Sequence, residues 1–300
     1  MRKTLEESNI LIVGLARDCE GVISSEVQNI NAAFSSAKSV QWLIIESDSS
    51  DCTTGVLNTM AEKLSLRYLS LGRLRDRLKK RTQRLSECRN KYIEEIRSND
   101  DYAVMDFVVV ADLDGANCNL TSESVTSCWQ MEEDWDACFA NQSEAYYDIY
   151  ALRHKTWSPN DCWSAYKFLV QHGINHFDAL NASIYSRMIK INESQKPIKV
   201  RSAFGGMGIY KKCLFEESNY FGLTADGCEV CEHVSFHEAL HEKGRALYIN
   251  PKLINCGWNE HNRKLTNAAK AKARLRYYTL KFVTKIISKE KLKNLFKSEA

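Results

Sequence analysis

Apolar residues along this chain alternate between two rhythms. Short, apolar-rich runs at 10–15, 40–45, 66–71 and 107–111 have the length and the Val, Ile and Leu content of buried strands. Between them, 22–34 carries Val22, Val27, Ile30 and Phe34 at helical spacing, and 56–66 continues in the same rhythm. Residues 73–97 predict one long helix with Leu74, Leu78, Leu85 and Ile93 as its buried stripe. Such alternation predicts an α/β fold with a mixed, mostly parallel sheet flanked by helices, and ligands gathering beyond the carboxyl ends of the strands. Farther on, 135–140 and 147–152 predict two strands around the turn-like 141–144, and 162–171, 177–189 and 232–243 predict helices. Residues 201–210 predict a loop entering a strand.

Composition adds organisation to this pattern. The 300 residues are 44% apolar and include only three prolines, Pro159, Pro197 and Pro251, with no Ser/Gly-rich linker. One domain over 1–262 with an appendage over 263–300 is the expectation. The net charge of +3 hides two basic stretches. Nine Lys or Arg fall within 73–91 against Asp76 and Glu87, and eleven fall within 264–297 against Glu290 alone. Because Leu275, Tyr278, Phe282 and Ile286 repeat at helical spacing in the second stretch, it predicts a basic amphipathic tail suited to peripheral contact with a membrane, or simply solvated. The first apolar run is too short and too late for a secretory leader, and no run reaches the length of a membrane span. A cytoplasmic, reducing location is therefore expected, with the eleven cysteines as thiols and the sequons at Asn119, Asn141, Asn181 and Asn192 unused. Nucleic acid is not an expected partner.

Several nucleotide-binding routes lack their signatures. Leu15-Ala16-Arg17-Asp18 follows the first strand where a dinucleotide fingerprint would stand, and Gly205-Gly206-Met207-Gly208 lacks the Lys-Ser/Thr ending of a P-loop. The strand at 107–111 instead ends in Asp112 and Asp114, followed by Gly115. Side chains at i and i+2 of an extended segment point the same way, so the two carboxylates suit a Mg²⁺ or Mn²⁺ that also holds a diphosphate; an Asp-rich turn is the plainer alternative. Glu46, Ser49, Asp51 and Thr53 after the second strand suit a ribose or base, or local Asx and Ser/Thr turns. Arg84 and Arg89 lie on the basic helix where a guanidinium could fork onto a diphosphate. Gly205 and Gly206 allow close approach of backbone to a sugar, or a tight turn. Cys228 and Cys231 form a C-x-x-C pair without a second pair, and His233, His237 and His241 share one helix face without a zincin motif.

Taken in order, Glu46, Ser47, Ser49, Asp51 and Thr53, then Arg89-Asn90, then Asp112 and Asp114, resemble the motifs of GT-A glycosyltransferases, most of all the fungal capsule-associated α-1,3-mannosyltransferase family and its bacterial relatives. The resemblance covers about 8–262. It implies a GT-A-like domain with a nucleotide-sugar-binding half at 8–118 and an acceptor-binding half at 119–262, the acceptor being a glycan or a lipid-linked hydroxyl. It further implies that the Gly205-Gly206 loop lies against the donor sugar, that Glu232 engages the acceptor hydroxyl, and that His261 joins Asp112 and Asp114 at the metal. Asp148 and Arg153 match a string behind the metal motif in related enzymes, or form an internal ion pair. The rival expectations are a nucleotidyltransferase on a similar sheet and a non-catalytic protein that binds nucleotide or an anionic surface.

Overall fold

The structure is a computed structural model that describes residues 3–265 and Thr279. The expected basic helix at 264–297 lies, but for its first two residues and Thr279, outside the described residues. The chain divides after Gly257. The sheet and its helices belong to the first part; in the second, Arg263–Leu265 form a short 3-10 turn.

Strand and helix alternate as the apolar rhythm predicts: β1 (Asn9–Ala16), α1 (Ile23–Ala33), β2 (Ser39–Glu46), α2 (Thr53–Ala61) and β3 (Leu66–Ser70). Next come α3 (Leu74–Arg77), α4 (Arg81–Ser98), β4 (Phe107–Asp112), α5 (Ser122–Trp129) and β5 (Ala137–Gln142). The remainder comprises α6 (Cys162–Gln171), α7 (His176–Ser183), β6 (Ile198–Lys199), β7 (Met207–Lys211), α8 (Glu232–Glu242) and β8 (Leu247–Cys256). Among the described residues, eight strands join one sheet in the order β3-β2-β1-β4-β7-β5-β8-β6. Only β7 and β6 run against the others, which makes the sheet mixed and mostly parallel. Alternation along β1 sends Leu11 and Val13 into one apolar layer with Tyr92, Ile96 and Phe236, and Ile10 and Ile12 into another with Ile23, Val27 and Val125. Both faces are thus covered, as a largely parallel sheet requires. Among the described residues no helix is long and apolar enough to cross a membrane.

Four expectations are corrected. The long helix at 73–97 is broken into α3 and α4, with Leu78 extended. Tertiary partners hold the break: Asp48 Oδ1 accepts from Arg75 N at 2.9 Å, Arg84 donates to the carbonyls of Leu78 and Lys79, and Glu229 accepts from Thr82 N. Residues 147–152 are a turn rather than a strand, closed by Ala151 N donating to Asp148 Oδ1 at 3.2 Å. Helix α2 starts at Thr53, whose amide donates to Asp51 Oδ1, and ends at Ala61. The helix expected at 177–189 ends at Ser183 and continues only as a 3-10 turn, Tyr185–Arg187. Helix α5, opened by a Thr121/Ser124 capping box, and strands β6 and β8 have no counterpart in the sequence reading.

Candidate functional site

The sheet's strand order reverses between β1 and β4. From β1 the chain winds outward through β2 and β3, then returns to lay β4 on β1's other side. Loops leaving two such neighbours diverge to opposite faces and leave a crevice at the carboxyl ends. Asp112 pairs in register with Leu15 at that crevice, and Glu46 pairs with Ala16 on the far side of β1. Two inter-strand spacings, about 10 Å, separate the Asp112 and Glu46 positions. Because β7 is antiparallel to β4, the Gly205-Gly206 loop that precedes it arrives at the same edge, where Gly206 O accepts from Asp112 N at 2.9 Å.

Arg89 binds the centre together. Its Nε donates to Glu232 Oε1 at 2.9 Å, and an Nη lies 3.8 Å from Asp112 Oδ1. Arg89 is only 3% exposed, and its guanidinium stands over the rings of Phe204 and Tyr220, 5.5 and 5.7 Å from their centroids. Burial acts to discharge it, and Tyr92, Glu232, Tyr220 and Asp112 more than offset that, so its pKa lies above the ordinary value. Glu232 opens α8 and is itself buried, so α4, β4 and α8 meet on one ion-paired cluster. Desolvation in the crevice and then the charge of Asp114 push the Asp112 carboxyl up to about 8, with Arg89 opposing. Its side chain is nonetheless 38% accessible, and Asp114 is exposed.

Glycine is required in the loop that precedes β7. Gly205 and Gly206 have φ of +69° and +88°, and a Cβ would come within 2.9 Å of Ala140 O at the first and 2.8 Å of the Tyr147 hydroxyl at the second. Asp148 Oδ2 accepts from Gly205 N at 3.0 Å. Below the loop runs a buried amide chain without a signal in the sequence: Gln142 and Asn255 both donate to Gly205 O, Asn255 donates to Asn117, and Asn117 donates to Glu26 Oε1 and to Asp112 O. These residues come from α1, β5, β8 and the turn after β4, and no local spacing joins them.

The cluster after β2 is differently used. Glu46 Oε1 accepts from Ser49 N, Ser49 Oγ accepts from Asp18 N, and Asp51 accepts from Glu20 N and from Thr53 N and Oγ1. Asp48, absent from the sequence reading, is buried in a left-handed conformation (φ 64°) and held by Arg75 and Arg84 at 3.3 and 3.6 Å. Arg84 is therefore committed to Asp48 and two carbonyls. Asp148 and Arg153 do not pair with each other: Arg153 donates to Asp161 at 2.9 Å. His237 bonds Ser202 Oγ and the Tyr210 hydroxyl, and burial, then Arg89, pushes its pKa down to about 3. Cys231 is buried while Cys228 is exposed, and among the described residues no group of three or more His, Cys, Asp or Glu forms a ready metal cluster. His261 belongs to the part of the chain after Gly257, where its Nε2 lies 3.5 Å from Glu260; its role at the metal rests on the family resemblance alone.

Asp112 and Asp114 fit a hard divalent ion. Mg²⁺-like sites commonly take one or two carboxylates and complete their shell with water and substrate phosphates; burial, and then the charge of Asp114, raise the Asp112 pKa, and a cation between the two carboxylates would offset that second effect.

No family model matches the chain, and no curated protein sequence does. Solved structures do resemble it. A mannosyltransferase from Pyrobaculum calidifontis, in complex with GDP-Man and Mn²⁺, aligns at TM-score 0.47 and 12% identity over 85% of this chain and 59% of its own. TarS 1–349 from S. aureus, in complex with UDP-GlcNAc, aligns at 0.46 and 11% over 85% and 60%. Glucosyl-3-phosphoglycerate synthase from Mycobacterium tuberculosis, in complex with Mn²⁺, UDP and phosphoglyceric acid, aligns at 0.41 and 10% over 83% and 67%. The chain thus spans about three fifths of the length of the first two.

Proposed function

We propose that this chain is a glycosyltransferase that moves a sugar from a nucleotide-diphosphate donor to a hydroxyl of a glycan or lipid-linked acceptor, acting at the cytoplasmic side with Mn²⁺ or Mg²⁺. The observation that carries the reading is Arg89 bridging Glu232 and Asp112 at the reversal of strand order. Three residues singled out for donor phosphate, metal and acceptor meet there, although 143 positions separate Arg89 from Glu232. The order of motifs from Glu46 to Asp114 supports kinship with the GT-A enzymes that resemble capsule-associated mannosyltransferases.

In this reading Asp112 and Asp114 hold the ion, which when bound offsets the charge of the departing nucleotide diphosphate. Arg89, fixed by Glu232 and two aromatic faces, adds a permanent positive charge beside the diphosphate. The crevice between Asp112 and the β2 loop takes ribose and base, with the backbone that Glu46, Ser49 and Asp51 stiffen as its wall. The Gly205-Gly206 loop, tied by Asp148 and the amide chain, carries the donor sugar. Glu232 uses Oε1 for Arg89, and Oε2 is the oxygen that would meet the acceptor hydroxyl.

The test is a thermal-shift panel of nucleoside diphosphates and sugar nucleotides with and without Mn²⁺, on the wild type, Asp112→Asn and Asp114→Asn. A metal-dependent rise in Tm with one nucleotide, lost in both variants, is expected. Indifference to every nucleotide overturns the reading, and a metal-independent shift that both variants keep selects the non-catalytic nucleotide binder.

A further inference from the structure

The α6–α7 hairpin is built unlike the rest of the chain. Its base is anchored: Asp161 caps Ser164 N at 2.8 Å while holding Arg153, and Cys162, Ala179, Ser183 and Ile184 are buried. Above the base, the two helices pack chiefly on each other and on the turn that follows them. A cleft of about 360 Å³ opens between them, lined in part by Phe168, Leu169 and Arg187. Trp163, Phe168, Val170, Ile174 and Phe177 are 40–62% exposed, so five of the eleven large hydrophobic side chains exposed among the described residues fall within 163–177. The tip turns through Gly173 in the left-handed region (φ 86°).

Two features identify what covers this surface. First, exposed apolar groups lie on opposite sides of α6. Phe168 and Val170 are two residues apart, which puts them about 160° apart around a helix. A folded partner covers one face of a helix and leaves the opposite face wet; a bilayer interface covers all sides of a tip that enters it. Second, no acidic residue occurs between Asp161 and Asp178, while Lys167, His172 and His176 do; Asp178 is exposed at the edge of this stretch, and Lys190 beyond it pairs with Glu144 at 3.8 Å. Aromatic and aliphatic groups beside the long basic side chain of Lys167 match the boundary between acyl chains and anionic headgroups.

We infer that the α6–α7 hairpin docks on an anionic lipid bilayer, with Phe168, Ile174 and Phe177 entering the interface and Lys167 reaching the headgroups. The inference stands apart from the sugar-transfer reading, since it invokes no nucleotide. It also names a surface other than the basic tail.

Flotation of the full chain with phosphatidylcholine vesicles, with and without phosphatidylglycerol, tests it. Wild type is expected to float with the anionic vesicles. Phe168→Ser/Phe177→Ser should lose about tenfold or more in partitioning, the order for two rings withdrawn from an apolar phase. Lys167→Glu should weaken binding to the anionic vesicles alone. All variants keep the tail, so its contribution is common to them. Phe177→Trp should keep wild-type binding and gain emission quenched by brominated lipid, which establishes insertion if the serine variant proves unstable. Unchanged flotation of the serine variant, or an unquenched tryptophan, overturns the inference. So does a change in oligomeric state on light scattering with flotation unaltered, which would assign the hairpin to a second copy of the chain.

Discussion

Two acidic groups share the carboxyl edge of one sheet, and they are built in opposite ways. Around β1 and β2, each carboxylate is answered by nearby donors: Asp18 accepts from Ser50 N and Oγ, Asp51 from Thr53, and Glu46 from Ser49 and Ser70. Hydrogen bonds from Ser50 lower the Asp18 pKa, and the Thr53 hydroxyl, above all, lowers that of Asp51. Around β4, burial and a neighbouring aspartate drive Asp112 the other way, up to about 8. Local donors satisfy the first group. At the second, Asp112 and Glu232 share one guanidinium, and Asp112 keeps its proton up to about 8, which in the proposed function is the proton that an arriving cation displaces.

The largest break in this comparison comes at the guanidinium. Arg89→Met leaves Glu232 buried without its partner and is expected to cost about 3–5 kcal/mol in chemical unfolding. Arg89→Met/Glu232→Leu should recover much of that loss while leaving the metal-dependent nucleotide response absent. Recovery of stability without recovery of binding separates packing from function; equal stability of the single and double variants would deny the ion pair its role.

A smaller effect follows from Asp112. Its carboxyl lies near 8 in the folded chain and near the ordinary value of about 4 in the unfolded one. Between those values the folded chain retains a proton that the unfolded chain has released, so stability falls as pH rises through that window and levels off above it. Asp112→Asn is expected to flatten this part of the profile in thermal unfolding without metal. Mn²⁺ affinity of the wild type, measured by calorimetry, should rise over the same window, because the ion must displace the proton. A Mn²⁺ affinity independent of pH between 6 and 8 would mean that Asp112 is ionised already.

The smallest effect belongs to the satisfied group. Thr53 donates to Asp51 Oδ1 at 2.6 Å and accepts from Cys19 N at 2.9 Å. Thr53→Val should cost about 1–2 kcal/mol in unfolding, as lost buried hydrogen bonds do, and leave the metal-dependent nucleotide shift in place. Loss of that shift would make the β1–β2 loops part of the site's chemistry rather than its wall.

Legibility follows the same division. The strands of the first half were readable because the runs at 10–15, 40–45 and 107–111 are buried on both faces, and a buried parallel strand announces itself locally. The break between α3 and α4 was not, because Asp48 and Glu229, which accept from the first-turn amides of α3 and α4, lie outside those helices in sequence. Nor was the turn at 147–152, whose apolar alternation resembles a strand while Asp148 folds it back on Ala151. Within the site, Asp112 and Asp114 could be proposed from a strand that ends in two carboxylates. Asn117, Gln142 and Asn255 could not, since each is an isolated amide until the sheet is assembled.

By itself the sequence determined an α/β chain, the strand that delivers Asp112, the basic character of α4 and the acid-free stretch before Asp178. The tertiary structure alone decided that Arg89 meets Glu232, that local donors satisfy the first acidic group while burial raises the Asp112 pKa, and that the α6–α7 hairpin stands exposed. Periodicity reports which face of an element turns inward, because that is repeated every few residues. It carries no record of which distant partner waits there, and charge compensation, burial and exposure are properties of the partner as much as of the residue.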